Sequence, residues 1–553
     1  MHSQPPKRPN QADCIAQALA GAGVSLAFGV PGGEVLTLIE ALGAAGIRFV
    51  TSRHENAGGF MAEGVFRVDG APAVLVATLG PGVANAVNVA AHALQDAVPL
   101  IILGGAVARA ERPAYSHQVI DHLALFASVT KACFELNPEE LGGDDLMAEA
   151  LSVAQSDPPG SVYIDCAVDA VENEAGSLSG SKTLASQAEV GESRSLRSAT
   201  KSADLELIRQ RLENAERPLV LAGLHAMRPG VSQALASFAE AQHAFVMTSY
   251  KAKGLLSEDH ANALGGVGLS PLADALVLPM LAASDFVLLL GYDPIEMRAN
   301  WTHALPRNEN LFELSDVPAR PGLAYQPALR VSDPAASLQF LASSPVKSRR
   351  WPQGEPIEAQ SQLKETFRSR QGWEPLALFE MAQSKLRDRD YMLCVDTGAH
   401  RILLAQSWRL AQPGRLLHST GFCTMACALP LAIGAKLRAP ERDLVVVVGD
   451  GGLDMGLGEL CTLRDLGLSI VVIVIDDQSL ALIDMKQKDR GFVRSGVDLG
   501  PCDYAGVATA LGGHGQLVEN ADDFAEAFDS GLKRSGFTLI HAPFAKGIYD
   551  GRF

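Results

Sequence analysis

Two apolar runs in the last third of the chain limit its fold more than any other feature. Leu444–Gly452 reads LVVVVGDGG and Ile470–Asp477 reads IVVIVIDD. Each is a short, unbroken β-branched stretch, as expected of a strand buried on both faces in a parallel sheet. Each stops at Gly or Asp, at the strand end where open α/β sheets bind ligands. The two turns are separated by 24 positions, 452 to 475. One helix, roughly Gly458–Leu466, and the second strand fill that interval. The spacing therefore predicts a strand–helix–strand unit with both turns at one sheet edge. Gly449, Gly451 and Gly452 let backbone N–H groups approach a phosphate closely. Asp450 and Asp477 are hard oxygen ligands of the type Mg2+ prefers, and at this spacing both reach one ion.

Similar runs recur along the chain, at Ala73–Thr78, Leu100–Gly105, Ser161–Cys166, Pro218–Gly223, Phe286–Gly291, Met392–Gly398 and Phe537–Ala542. Ala/Leu-rich stretches such as Ala12–Gly21 and Asn85–Leu94 read as helices between them. The expected fold class is α/β, with three doubly wound parallel-sheet domains at 11–172, 200–342 and 363–553. The Ser/Gly/Ala-rich stretch from about Glu172 to Ala203, and Ser343–Pro356, read as linkers.

Composition narrows the function. A chain of 553 residues has room for three or four domains, and 47% hydrophobic against 20% charged residues excludes general disorder. Asp+Glu 63 against Lys+Arg 46 gives a net charge of −17. Without long basic blocks, no nucleic-acid partner is expected. No apolar run reaches the ~18 residues of a membrane span, and the opening MHSQPPKRPNQAD has no apolar core of a signal peptide. Eight scattered Cys with no CxxC pair point to a reducing compartment, so a cytoplasmic location is expected.

The GDG turn followed after this gap by DD resembles the thiamine diphosphate motif, which usually closes on NN. Three further segments extend the likeness. SRHENAGGFMAEG (Ser52–Gly64) is similar to the RHE…AAEG segment of that superfamily's pyrimidine-binding domain. TLGPG (Thr78–Gly82) and the following NAV…ALQDAVPLIILGG match the stretch after it. GFCTMACALPLAIGAK (Gly421–Lys436) is similar to the G-x-G-T-M-G-x-x-L-P-A-A-I-G-A segment of acetohydroxyacid synthases. The chain thus resembles thiamine diphosphate-dependent enzymes, most of all the acetohydroxyacid (acetolactate) synthase-like group. Its three blocks take the order of the pyrimidine, central and diphosphate domains. The resemblance implies thiamine diphosphate and Mg2+ as cofactors, and a homodimer or homotetramer with active sites at the subunit interface. It implies a decarboxylating carboligase that forms a C2 carbanion or enamine from a small 2-oxo acid and adds it to an acceptor carbonyl. The alternative is a simple 2-oxo acid decarboxylase, or a lyase acting on a 2-hydroxy ketone or 1,2-diketone.

Site residues follow motif by motif. Glu55 follows a predicted strand and opens a helix, where a carboxylate is favoured by the helix dipole and capping alone explains it. The resemblance instead implies that Glu55 hydrogen-bonds the pyrimidine N1′ and stabilises the imino tautomer that deprotonates C2; His54 beside it reads as structural. Met425 alone would be core filler; by resemblance it is the apolar wedge that bends the cofactor. The same match puts the backbone of Gly421 and Cys423 near the pyrimidine, with Cys423 standing where the family has glycine and not acting as a nucleophile. Gly398, Ala399 and His400 resemble the diphosphate-side turn, although an isolated His after a strand is more often a cap or solvated. Gln118, in HQVID, matches the Gln of the F-Q-E-type substrate-side segment, and His117 stands where that segment has an aromatic residue; the plain alternative is a surface loop. The Ser479 carbonyl is the next metal ligand by the same match, with Ala481 and Leu482 against the cofactor. Leu480–Phe492 does not match the acceptor-choosing segment of the synthases, which leaves the acceptor open. Lys251 and Lys253, in SYKAKG, resemble a central-domain segment without an assigned role. VLAG is followed by LHAMRPG, which lacks G-x-G-x-x-G; FAD is left open and not predicted.

Overall fold

The structure is a computed structural model that describes residues 8–175, 202–306, 308–320, 322–346, 351, 353–370 and 372–553. These form two compact units. The first comprises the described residues up to 175 with Phe422–Glu441 and Gly456–Leu468; the second comprises 202–421, Arg442–Met455 and Ser469–Phe553. Among the described residues no helix is long and apolar enough to cross a membrane.

The first unit holds one six-stranded parallel sheet of β1 Leu26–Val30, β2 Arg48–Thr51, β3 Ala73–Ala77, β4 Leu100–Ala106, β5 Ala132–Glu135 and β6 Val162–Ala167, in the order β2-β1-β3-β4-β6-β5. β3, β4 and β6 are buried along their whole length, which is why they read as continuous apolar runs. The helix Glu55–Asp69 lies over β1 and β3 and also packs on the helix Ala428–Arg438. A Cβ at Gly64 would lie 2.2 Å from the Leu431 carbonyl oxygen, and one at Gly434 would lie 1.8 Å from that of Met61. Only glycine at both positions lets the two backbones come this close, which accounts for the small residues in both motifs.

The second unit holds two sheets. The central one, β7 Pro218–Ala222, β8 Phe245–Thr248, β9 Ala263–Gly266, β10 Phe286–Leu290, β11 Leu311–Leu314 and β12 Leu329–Val331, runs β12-β11-β10-β7-β8-β9. The other contains β13 Tyr391–Val395, β14 Leu416–Leu417, β15 Asp443–Gly449, β16 Val471–Asp476, β17 His514–Leu517 and β18 Thr538–Pro543, in the order β14-β13-β15-β16-β18-β17. Strand for strand, that repeats the order of the first sheet. All pairings in the three sheets are parallel, so the α/β class and the doubly wound sheets are as the apolar runs indicate.

Several expected boundaries move. The expected helix Asn85–Leu94 is broken at Ala86 into Pro81–Asn85 and Val87–Gln95. The expected strand Ser161–Cys166 starts one residue later. The interval after the GDG turn holds two helices, Asp450–Gly456 and Glu459–Leu466, not one. Most of the linker expected from 172 to 203 lies outside the described residues. The second expected linker is partly structured: Trp351 is buried in the central core, and the helix Glu355–Thr366 starts before its expected end.

Candidate active site

In the second unit, the sheet order reverses between β13 and β15, and the crevice outside such a switch point is the standard ligand seat of an open α/β sheet. The turn after β13 delivers Thr397, Gly398, Ala399 and His400, and the helix Ala399–Ser407 begins there. The turn after β15 delivers Asp450, which with Gly451 and Gly452 forms the first turn of its helix. The two turns touch: a Cβ at Gly452 would lie 2.2 Å from Asp396 Oδ2, and one at Gly449 would lie 3.2 Å from the His400 ring. β15 pairs with β16 through Gly449 and Ile475, so Asp450 and the Asp476–Asp477 turn emerge side by side.

These acids are buried. Asp450 Oδ1 accepts the Gly451 N–H at 2.9 Å, whereas its buried Oδ2 has no partner. Burial, reinforced by the neighbouring charges of Asp477 and Asp476, pushes the Asp450 carboxyl well above the usual range. Burial and the Asp476 charge push Asp477 up to about 6, although the Ser479 hydroxyl donates to its Oδ2 at 2.9 Å. Asp476 is held below the usual range: burial opposes its charge, but the His541 ring at 2.9 Å and the Gln478 amide at 3.0 Å overcome that. Crowded buried carboxylates with a free oxygen are what a divalent cation relieves. His400 Nε2 and Thr397 Oγ1, both buried, also lack partners. Burial, with the adjacent Arg401 charge, lowers His400 to about 3, so the ring is neutral.

The residues present fit a metal-bound diphosphate. Asp450, Asp477 and a carbonyl from the buried Ser479 would hold the ion. Among the described residues no three His, Cys, Asp or Glu side chains converge on one point. That suits Mg2+, which takes one or two carboxylates and completes its octahedron with phosphate oxygens and water. Ala481 and Leu482, both half-buried, open the helix that follows this turn, and Gly421 is half-buried after the buried Thr420.

The first unit places Glu55 at the same edge of its own sheet. His54, and not Glu55, caps the helix, its Nδ1 accepting the Asn56 N–H at 3.1 Å. The Glu55 carboxylate is therefore spared for other work. Glu55 is 6% exposed and accepts a hydrogen bond from Asn85 Nδ2 at 2.9 Å. A Cβ at Gly82 would lie 3.1 Å from Glu55 Oε1, so the TLGPG turn sits directly against it. Gln118 and His117 are exposed in a loop, Gln118 with φ +59°. In the GFCTMAC segment Met425 is half-buried, Cys423 is exposed with φ +51° and Ala426 has φ +61°. The Thr424 hydroxyl reaches Asn88 at 3.1 Å, one helical turn beyond Asn85.

Several neighbours escaped the sequence reading. Asn85 lies in the matched NAV segment but carries no assigned role there, and Thr397 carries none either. Glu34 accepts the Thr78 hydroxyl at 2.7 Å, and His122 accepts the Gly80 N–H at 3.1 Å. Their roles depend on which turns meet at the sheet edge. The central sheet has its own switch point between β7 and β10, but there the Glu296 carboxylate accepts the Leu224 N–H at 2.8 Å and the Ser249 hydroxyl. A dinucleotide diphosphate would need that amide, and would meet a buried carboxylate in its place.

Comparison with known proteins agrees with this geometry. Family profiles for the N-terminal, central and C-terminal domains of thiamine pyrophosphate enzymes match residues 9–125, 205–341 and 396–542. The chain is 30% identical over 547 residues to a catabolic acetolactate synthase of Raoultella terrigena, covering 96% of this chain and 94% of that one. It is 28% identical over 541 residues to an acetolactate synthase of Bacillus subtilis (96% and 92% covered). It is also 29% identical over 555 residues to a Pseudomonas aeruginosa protein named "Probable 2-ketoarginine decarboxylase" (97% and 94% covered). The chain belongs to the thiamine pyrophosphate enzyme family and is an acetolactate synthase-like member of it.

Proposed function

We propose that this enzyme decarboxylates a small 2-oxo acid and joins the remaining fragment to an acceptor carbonyl, with Mg2+ holding the cofactor diphosphate. Thiamine diphosphate, when bound, supplies the electron sink for loss of CO2. The protein's part is to bind, bend and activate it. Asp450, Asp477 and the Ser479 carbonyl hold the metal. Gly398, Ala399, His400, Gly449, Gly451 and Gly452 line the diphosphate, with Ala481 and Leu482 beside it. Neutral His400 donates a ring N–H to one phosphate oxygen without adding charge. Met425 supplies the wedge, and Gly421 and Cys423 offer backbone groups to the pyrimidine. Glu55 shares a proton with the pyrimidine ring, and Gln118 and His117 face the substrate. The observation that carries the reading is the unpartnered Asp450 Oδ2 beside Asp477 at the β13/β15 switch point.

A homodimer or homotetramer with active sites at the subunit interface is the assembly this reading requires, and it rests on the family likeness. Mixing Glu55→Ala chains with Asp450→Ala chains should then restore partial activity once subunits exchange.

Glu34 favours a second reading. Its carboxylate is half-buried at the edge that carries Glu55, and among the described residues it has no cationic partner. A donor acid with a basic side chain would supply one, and the name of the Pseudomonas aeruginosa relative is consistent with that. Product analysis on cofactor-loaded protein decides. Acetolactate from pyruvate alone supports the synthase. Acetaldehyde makes it a simple decarboxylase. No turnover of pyruvate, with turnover of a 2-oxo acid carrying a basic side chain, supports the second reading.

A further inference from the structure

We propose that His122 is a positioning residue that locks the Thr78–Gly82 turn against Glu55 and Gln118. The inference rests on the reading of those two residues as parts of the active site.

The geometry fixes the state of the ring. His122 Nε2 lies 3.1 Å from the Gly80 backbone nitrogen, which can only donate. Nε2 must therefore be the acceptor, and the proton sits on Nδ1. Nδ1 is 2.9 Å from Asp165 Oδ1, which receives it. Asp165 is itself held: Oδ1 accepts the Tyr163 hydroxyl at 2.9 Å, and Oδ2 accepts Arg112 at 3.0 Å, whose other arm reaches Glu135 at 2.7 Å. His122 and Asp165 are both buried. The ring's one acceptor thus goes to a single loop amide.

That amide belongs to an unusual turn. Gly80 has φ +61° and ψ −105°, a conformation that disfavours any side chain. A Cβ there would lie 2.3 Å from the Gln118 carbonyl oxygen and 2.9 Å from Gln118 Cβ, so Gly80 rests directly on Gln118. Gln118 is itself left-handed, and such strain persists only where the surroundings enforce it. Two residues beyond Gly80, Gly82 packs on Glu55. One imidazole thus fixes the turn that touches both candidate residues.

The test uses cofactor-loaded protein and the best donor found in the product screen. His122→Phe keeps the planar bulk and removes the acceptor. His122→Gln keeps an acceptor near the Nε2 position. For His122→Phe we expect kcat/KM to fall about tenfold, the size of one buried hydrogen bond. Cofactor affinity should be parental, and deuterium uptake across residues 78–82 should rise. His122→Gln should recover most of kcat/KM and return deuterium uptake across residues 78–82 toward the parent's. Parental kinetics and uptake in His122→Phe would overturn the proposal. So would a His122→Gln protein that is as impaired as His122→Phe. Gln118→Ala separates the underlying reading: parental kinetics there would remove Gln118 from the site, while deuterium uptake in His122→Phe still reports whether the turn is held.

Discussion

The Glu55 carboxylate accepts a hydrogen bond from the Asn85 side-chain amide at 2.9 Å, across two helices that the sheet edge brings together. With the helix already capped by His54, nothing local demands an acid at this position. Glu55→Gln keeps size and hydrogen bonding but cannot share a proton with a ring nitrogen. It should bind thiamine diphosphate and Mg2+ nearly as well as the parent, because the charge that anchors them lies at the diphosphate. Exchange of the cofactor C2 proton, followed by NMR, and turnover should both fall by about 10²-fold or more. Near-parental exchange in a folded, loaded protein would take Glu55 out of the mechanism.

Asp477 stands where the family motif has a neutral Asn. The extra charge attracts the cation but repels the diphosphate, and a unit charge pair at ~4 Å is worth about 4 kcal/mol at an effective dielectric of ~20. Asp477→Asn should therefore retain cofactor, with any loss in metal affinity offset by weaker repulsion. Asp477→Ala should weaken both, as read by titration calorimetry with Mg2+ and thiamine diphosphate. An alanine variant that binds both as tightly as the parent would make the metal assignment wrong.

Cys423 is a left-handed residue with its side chain exposed, at a position where the related segment carries glycine. Left-handed backbone costs a non-glycine residue roughly 1–2 kcal/mol, partly offset by the chain entropy that glycine loses on folding. Cys423→Gly should leave the melting temperature unchanged or slightly raised, and Cys423→Val should lower it. Neither Cys423→Gly nor Cys423→Ala should abolish turnover, since the proposed role of this residue uses only its backbone. Loss of activity in both would instead make the thiol a participant.

His400 gives the apo protein a defined acid sensitivity. Its folded pKa of about 3 lies below the ordinary 6.5, so the unfolded chain binds the proton first. Stability from this group is complete above pH 6.5 and is lost progressively as pH falls toward 3. His400→Asn removes the titrating ring. Its denaturation midpoint should fall less between pH 6.5 and pH 4 than the parent's. Equal slopes would show that the ring is solvated in the folded protein.

The sequence by itself determined the strands, because a strand buried on both faces must be an unbroken apolar run, and a turn at its end must be Gly or Asp. It therefore determined the α/β class, the three sheets and the positions of Asp450, Asp477 and Glu55, whose motifs are local in the chain. It misplaced helix boundaries at Ala86 and after Asp450, where tertiary packing overrides periodicity. What only the tertiary structure decided lies between segments distant in sequence. The chain does not say that Asn85 meets Glu55, that His541 draws Asp476 below its neighbours, that Glu296 fills the central crevice, or that His122 holds Gly80. Hydrogen bonds of this kind depend on side-chain direction and on which strand ends become neighbours. Strand order fixes both, and the order of parallel strands is set by helix packing across the whole sheet and not by any one segment.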